Sequence, residues 1–181
     1  MFKKMNINGT ELEILSFMAQ HPETEWHVRA LAKVTRISIG SSSQCLRDLE
    51  RRGLVHSKRI GNLILYYIAK EKPMVRSFKM FLNLLALEPF VEELKGHSDR
   101  VYLFGSAADG TDGERSDIDI LVVTNEKALV KKMLGVLRHI NGRLLGPIVV
   151  TPAELVRLSR SDKAFHDRAT DGLVLWRSEH E

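Results

Sequence analysis

VYLFGSAADGTDGERSDIDILVVT, residues 101–124, contains two apolar runs flanking a polar loop. Short runs rich in β-branched residues predict two buried strands, VYLF and DIDILVVT. Asp117 and Asp119 are one residue apart at the start of the second. Side chains alternate along a strand, so both carboxylates are expected on one face while Ile118 and Ile120 enter the core. Two such carboxylates repel each other unless solvent or a cation screens them. Oxygen ligands of this kind suit Mg²⁺. Gly105-Ser106 directly follows the first strand. A glycine there allows close backbone approach to a ligand, and the serine hydroxyl with nearby N–H groups can hold a phosphate.

Working outward, strands and helices alternate. Helices are expected at Lys127 to Ile140 and Ala153 to Leu158, and strands in LLGPIVVT (144–151) and LVLWR (173–177). The alternation predicts a small α/β domain with a mixed sheet. His97, His139, His166 and His180 have no metal-ligand spacing. His166 and Asp167 read as a solvated helix face, with a place in the pocket as the alternative, and Asp109, Asp112 and Glu114 as solvated loop acids.

The stretch LFGS-AADGTDGERS-DIDI resembles the motif of minimal nucleotidyltransferases, in the superfamily related to DNA polymerase beta. The resemblance covers roughly residues 90–176. It implies NTP and Mg²⁺ as ligands, with Gly105 and Ser106 on the triphosphate and Asp117 and Asp119 on metal as the catalytic pair. It also implies transfer of a nucleoside monophosphate by in-line displacement at the α-phosphate. Active members carry a third carboxylate on the next core strand. That strand is expected to be LLGPIVVT, where Ile148, Val149 and Val150 supply no acid. Glu154, just beyond, reads as a surface residue in the first turn of a helix, with substitution for the missing acid as the alternative.

The first 72 residues differ in charge and pattern. They hold 12 Lys and Arg against 7 Asp and Glu, so the total charge of +4 divides into +5 here and −1 in the remainder. Apolar positions predict a helix from Thr10 (as N-cap) to Gln20, a second from about Glu25 to Val34, and a third capped by Ser38 and ending at Gly53. LVHSKRI and LILYYIAK follow, joined at Gly61-Asn62, which is a hairpin signal. SIGSSSQCLRDLERRGLVHSKRIGNLILYYI resembles the recognition helix and wing of ArsR/MarR-like winged helix-turn-helix domains. Double-stranded DNA is the partner implied. Ser41, Ser43, Gln44 and Arg47 would face a groove, and Lys58 and Arg59 the phosphates. Ser42 stands where such helices usually bury an apolar residue. Cys45 reads as a small core residue, and as the only cysteine it excludes an intramolecular disulfide.

Between the halves, MVRSFKMFLNLLAL (74–87) is apolar almost all round. Such a helix needs cover on several sides, from a place between the two halves or from its copy in a homodimer, and a homodimer is expected. Pro89 is expected to end it, with a shorter helix from Phe90 to Leu94. No apolar run reaches the roughly 18 residues of a membrane span. Residues 1–14 show no signal-peptide pattern, so a cytoplasmic location is expected.

The expected organisation is α+β: a winged helix domain over 1–72, a connecting helix over 73–88 and a nucleotidyltransferase-like domain over 89–181. Two functional classes follow. One is an NTP- and Mg²⁺-binding protein with possible nucleotidyl transfer. The other is a catalytically silent transcriptional regulator, or an antitoxin-type partner protein, that uses its second domain for sensing or contacts.

Overall fold

The computed structural model describes residues 7–136 and 138–179. Lys3, Lys4 and His180 lie outside the described residues, as does Leu137 within the helix expected at 127–140. The chain divides into two compact units, Met1–Lys79 and Met80–Glu181.

The first unit opens with α1 (Gly9–Gln20). Its N-cap is Asn8, not Thr10. The Asn8 side chain accepts a hydrogen bond from the Glu11 N–H at 2.9 Å, and Glu11 accepts one from the Asn8 N–H at 2.9 Å. This reciprocal pair satisfies two N–H groups, which a cap at Thr10 could not achieve with the same glutamate. Helix α2 (Val28–Thr35) starts later than expected. Trp26 is held in extended conformation by a β-bridge to Tyr66, with both N–H···O distances 2.8 Å, and His27 becomes the cap. Helix α3 (Ile39–Arg51) begins at Ser38 as expected. Strands β1 (Val55–Ile60) and β2 (Leu63–Ile68) pair antiparallel through Gly61-Asn62. Gly61 has φ +58°, the sign a two-residue type II′ turn requires at its first position. Ile14, Met18, Leu31, Leu46, Leu49 and Ile68 form the heart of this core.

Helix α4 (Pro73–Lys95) is continuous, so Pro89 does not end it. A proline in a helix interior costs about 3 kcal/mol. Pro89 is exposed, while Leu87, Phe90, Val91 and Leu94 on either side of it are buried in one cluster. Each such burial contributes about 1.5–3 kcal/mol, so packing outweighs the lost hydrogen bond.

The second unit is a five-stranded mixed sheet. Strand β3 (Arg100–Phe104) leads into the short helix α5 (Ser106–Asp109), and β4 (Ile118–Val123) follows the loop. Helix α6 (Lys127–Val136) stops short of Ile140. Residues 139–140 are instead β5 (His139–Ile140), turning at Asn141-Gly142 into β6 (Arg143–Val150). Both turn residues have positive φ, +51° and +78°, as a type I′ hairpin demands. Helices α7 (Pro152–Ser161) and α8 (Lys163–Thr170) precede β7 (Leu173–Arg177). The strand order is β5-β6-β4-β3-β7; β4 and β6 are parallel and the other pairs antiparallel. One face packs Leu103, Ile118 and Ile120 against α4, α5 and α6. The other packs Phe104, Leu121 and Val150 against Leu155 of α7 and Ala169 of α8. No described helix is long and apolar enough to cross a membrane.

Candidate nucleotide site and candidate DNA-reading helix

Strand alternation puts Asp119 on the face shared with Phe104 and Leu121, at the start of β4. Its neighbours across the ladder are Phe104 on β3 and Gly146 on β6. Both glycines beside it matter for space. A Cβ on Gly105 would lie 2.7 Å from Asp119 Oδ2, and one on Gly146 would lie 3.2 Å from Oδ1. The carboxylate thus occupies a cradle that two absent side chains leave open. Gly105 is doubly required, because its φ of +69° with ψ of −157° is a conformation only glycine adopts readily. Ser106 follows as the first residue of α5.

Burial pushes the Asp119 carboxyl above the ordinary carboxylate range, and the negative charge of exposed Asp117 pushes the same way. Arg168 opposes both. It is a residue the sequence reading missed. Its guanidinium lies over the Phe165 ring at 5.7 Å, and that ring stands edge-on to Phe104 at 6.0 Å. Residues 165, 168 and 169 fall at the i, i+3, i+4 spacing of one helix face, which was the available signal. His166 and Asp167 are half-buried and bonded to each other at 3.0 Å.

Asp112 is not a solvated loop acid. It is buried and paired with Arg143 at 2.9 Å. The guanidinium also donates to the main-chain oxygens of Ser116 at 2.9 Å and Asp117 at 3.4 Å, and to Asn83 Oδ1 at 2.9 Å. The Asn83 amide in turn donates to the Ala107 carbonyl at 2.9 Å and to Asp112 at 3.2 Å.

Among the described residues, no group of three or more His, Cys, Asp or Glu is placed to hold a metal ion. Glu154 does not complete one. It is the third residue of a capping box with Thr151 and receives Lys127 Nζ at 2.6 and 2.8 Å, which holds its carboxyl below the usual range. Helix α7 follows Val150, which pairs with Val123, four residues along β4 from Asp119. At about 3.3 Å per residue that is roughly 13 Å from the cradle.

In the first unit, α3 buries Ser42, Cys45, Leu46 and Leu49 and turns Ser41, Gln44 and Arg47 outward, with Ser43 half-buried. The Ser42 hydroxyl has no hydrogen-bond partner. Burial, followed by the charge of Glu11, raises the Cys45 thiol above its ordinary pKa, which disfavours the reactive thiolate. The outward side chains bond among themselves. Arg47 donates to Ser43 at 2.7 Å and to Gln44 at 2.8 Å, and Gln44 donates to Asp48 at 3.0 Å. On the hairpin, Arg59 is exposed beside the turn, whereas Lys58 Nζ is paired with Glu25 at 2.5 Å.

Comparison with known proteins finds similarity of two kinds. Residues 85–169 match the family model of the nucleotidyltransferase domain. The homodimeric winged helix-turn-helix DNA-binding domain of Mb0332 from Mycobacterium bovis, a possible ArsR-family transcriptional regulator, is 33% identical over 51% of this chain and 75% of its own, with a TM-score of 0.34. A Sulfolobus solfataricus protein assigned provisionally as a nucleotidyltransferase is 29% identical over 58% of this chain and 89% of its own, with a TM-score of 0.39. Lactococcus lactis ZitR in complex with DNA is 17% identical over 74% of both chains, with a TM-score of 0.39. None of the curated proteins matches this chain. Residues 85–169 thus match the nucleotidyltransferase domain family, and the chain is also similar to the winged helix-turn-helix domain of a possible ArsR-family regulator.

Proposed function

We propose that the second unit binds an NTP together with Mg²⁺, and that Asp117, Asp119, Gly105 and Ser106 form the site. The observation that carries this reading is the Asp119 carboxylate set between Gly105 and Gly146, where any larger side chain would crowd it. Two carboxylates suit Mg²⁺, which keeps several ligand positions for water and phosphate oxygens. When bound, the ion would neutralise charge on the phosphates. Asp117 and Asp119 would hold it, Ser106 and nearby N–H groups would meet the triphosphate, and Arg168, over the Phe165 ring, adds a cation whose charge reaches Asp119. On β6 the residues facing the same way as Asp119 are Leu144, Gly146, Ile148 and Val150, so no acid is available there to take a proton from a nucleophile. The reading is therefore nucleotide binding with little or no transfer.

Thermal denaturation tests it. An NTP should raise the midpoint only when Mg²⁺ is present; at a hundredfold excess over Kd, mass action gives about 2.7 kcal/mol. Asp119→Asn should abolish the metal-dependent part, and Ser106→Ala should weaken it less. Labelled ATP incubated with host extract should yield little or no label transfer. A wild-type protein indifferent to every NTP with Mg²⁺ overturns the reading.

The outward polar face of α3 favours a second activity in the first unit, duplex DNA binding. Ser41, Gln44 and Arg47 have the hydrogen-bonding chemistry for base edges, and Arg59 for phosphate. A homodimer would present two such helices to paired half-sites. Exposed Phe81 and Leu85 on α4 give a second copy an apolar surface to cover.

A further inference from the structure

We infer that Arg143 is a positioning residue for Asp117, and that its guanidinium, with Asp112 and Asn83, keeps the two parts of the phosphate- and metal-holding motif at a fixed spacing. The inference rests on the reading of Asp117 and Asp119 as the metal-holding pair.

Asp117 lies just before β4. The β3 ladder reaches only to Asp119 and the β6 ladder only to Ile118, so neither fixes the Asp117 main chain. Arg143 supplies what the sheet does not, through its bonds to the Ser116 and Asp117 carbonyls. The guanidinium is itself held from the other side. Its side chain is 13% exposed and that of its partner Asp112 is 6% exposed. Asn83 closes the arrangement, accepting from Arg143 while donating to Asp112 and to the carbonyl of Ala107, the residue after Ser106. A single hydrogen-bonded network thus ties the segment after Gly105-Ser106 to the segment before Asp119.

Arginine is needed for geometric reasons. Its planar fork of five donors can serve two carbonyls, a carboxylate and an amide oxygen at once, whereas lysine offers a compact point charge. The pairing with Asp112 also matters for charge. It neutralises Arg143 locally, so the clamp does not oppose a cation at Asp117.

The test uses the full chain with Arg143→Lys, and with Asp112→Asn as a second variant should the first fold poorly. Amide hydrogen exchange should show a loss of protection confined to residues 112–117, with the β4–β6 ladder unchanged. Mg²⁺-dependent ATP binding should weaken by about tenfold or more, the usual effect of removing a residue that orients a metal ligand. The same change made in an Asp117→Asn background should have almost no further effect on binding. Equal weakening in both backgrounds, or unchanged exchange at 112–117, overturns the inference. A wild-type protein that binds no NTP with Mg²⁺ would sink the nucleotide reading instead, and the exchange measurement alone would then decide whether Arg143 holds this segment.

Discussion

Asp119 carries a charge its surroundings disfavour. Burial and the Asp117 charge raise its carboxyl above the unfolded value of about 3.9, so the folded state binds the proton more tightly than the unfolded one. The stability linked to this group is present below that unfolded value and is lost as pH rises through the raised folded one. Asp119→Asn should therefore match the wild type in stability near pH 3 and exceed it near pH 7, with no metal present. Urea unfolding at both pH values checks this; a variant less stable at pH 7 would contradict it. Much of the site was legible residue by residue. The alternation around Ile118 and Ile120 set Asp119 on the opposite face of β4 from them, whereas Gly105, read as making room for a ligand, makes room for the Asp119 side chain. Arg143 was not legible, because it acts through neighbours from other elements, and Arg168 was signalled only by its i+3 spacing from Phe165 on one helix. Asp112 had the same obscurity: nothing in DGTDGE distinguishes a buried acid from a solvated one.

At the level of elements, α4 shows how tertiary packing overrides a local rule. Pro89 removes a hydrogen bond, yet the i, i+3, i+4, i+7 spacing of Leu87, Phe90, Val91 and Leu94 keeps the helix seated. Pro89→Ala should restore that bond without disturbing the buried side and should raise stability by about 1–3 kcal/mol. Chemical denaturation measures the change, and a destabilised variant would mean that the proline shapes the helix usefully. The hairpin at Gly61-Asn62 was readable because apolar runs flank it on both sides. The one at Asn141-Gly142 was hidden, since the strand before it is only His139–Ile140 and merges with a helical pattern. Asn8 and Glu11 formed an equally readable capping pair, but Thr10 lay closer to the apolar positions.

For the whole molecule, charge and recognition act together. The basic excess up to Lys72 favours a polyanion, but Lys58 is committed to Glu25 in the free protein. Duplex binding should weaken steeply with salt, at nearly one logarithmic unit per released counterion. Glu25→Gln frees Lys58 for a phosphate, so affinity for all sequences should rise and the salt slope should steepen by about one. Gln44→Ala or Arg47→Ala should instead change sequence preference. Fluorescence anisotropy at several salt concentrations separates these effects; an unchanged slope in Glu25→Gln would show that Lys58 takes no part.

The position of β7 has a further consequence for the life of the polypeptide. It forms one border of the second unit's sheet and shields β3, four of whose five residues are buried. Gly172, at its entrance, allows an approach so close that a methyl group would lie 2.3 Å from the Leu103 carbonyl oxygen. A copy cut before Leu173 would leave the β3 backbone unpaired on one edge, along an apolar ribbon. Such an open border is a template for its own kind, so incomplete copies should gather into fibrous aggregates. Pairing of β7 with β3 closes that border, and a copy in which the pair has not formed depends on whatever keeps such ribbons apart.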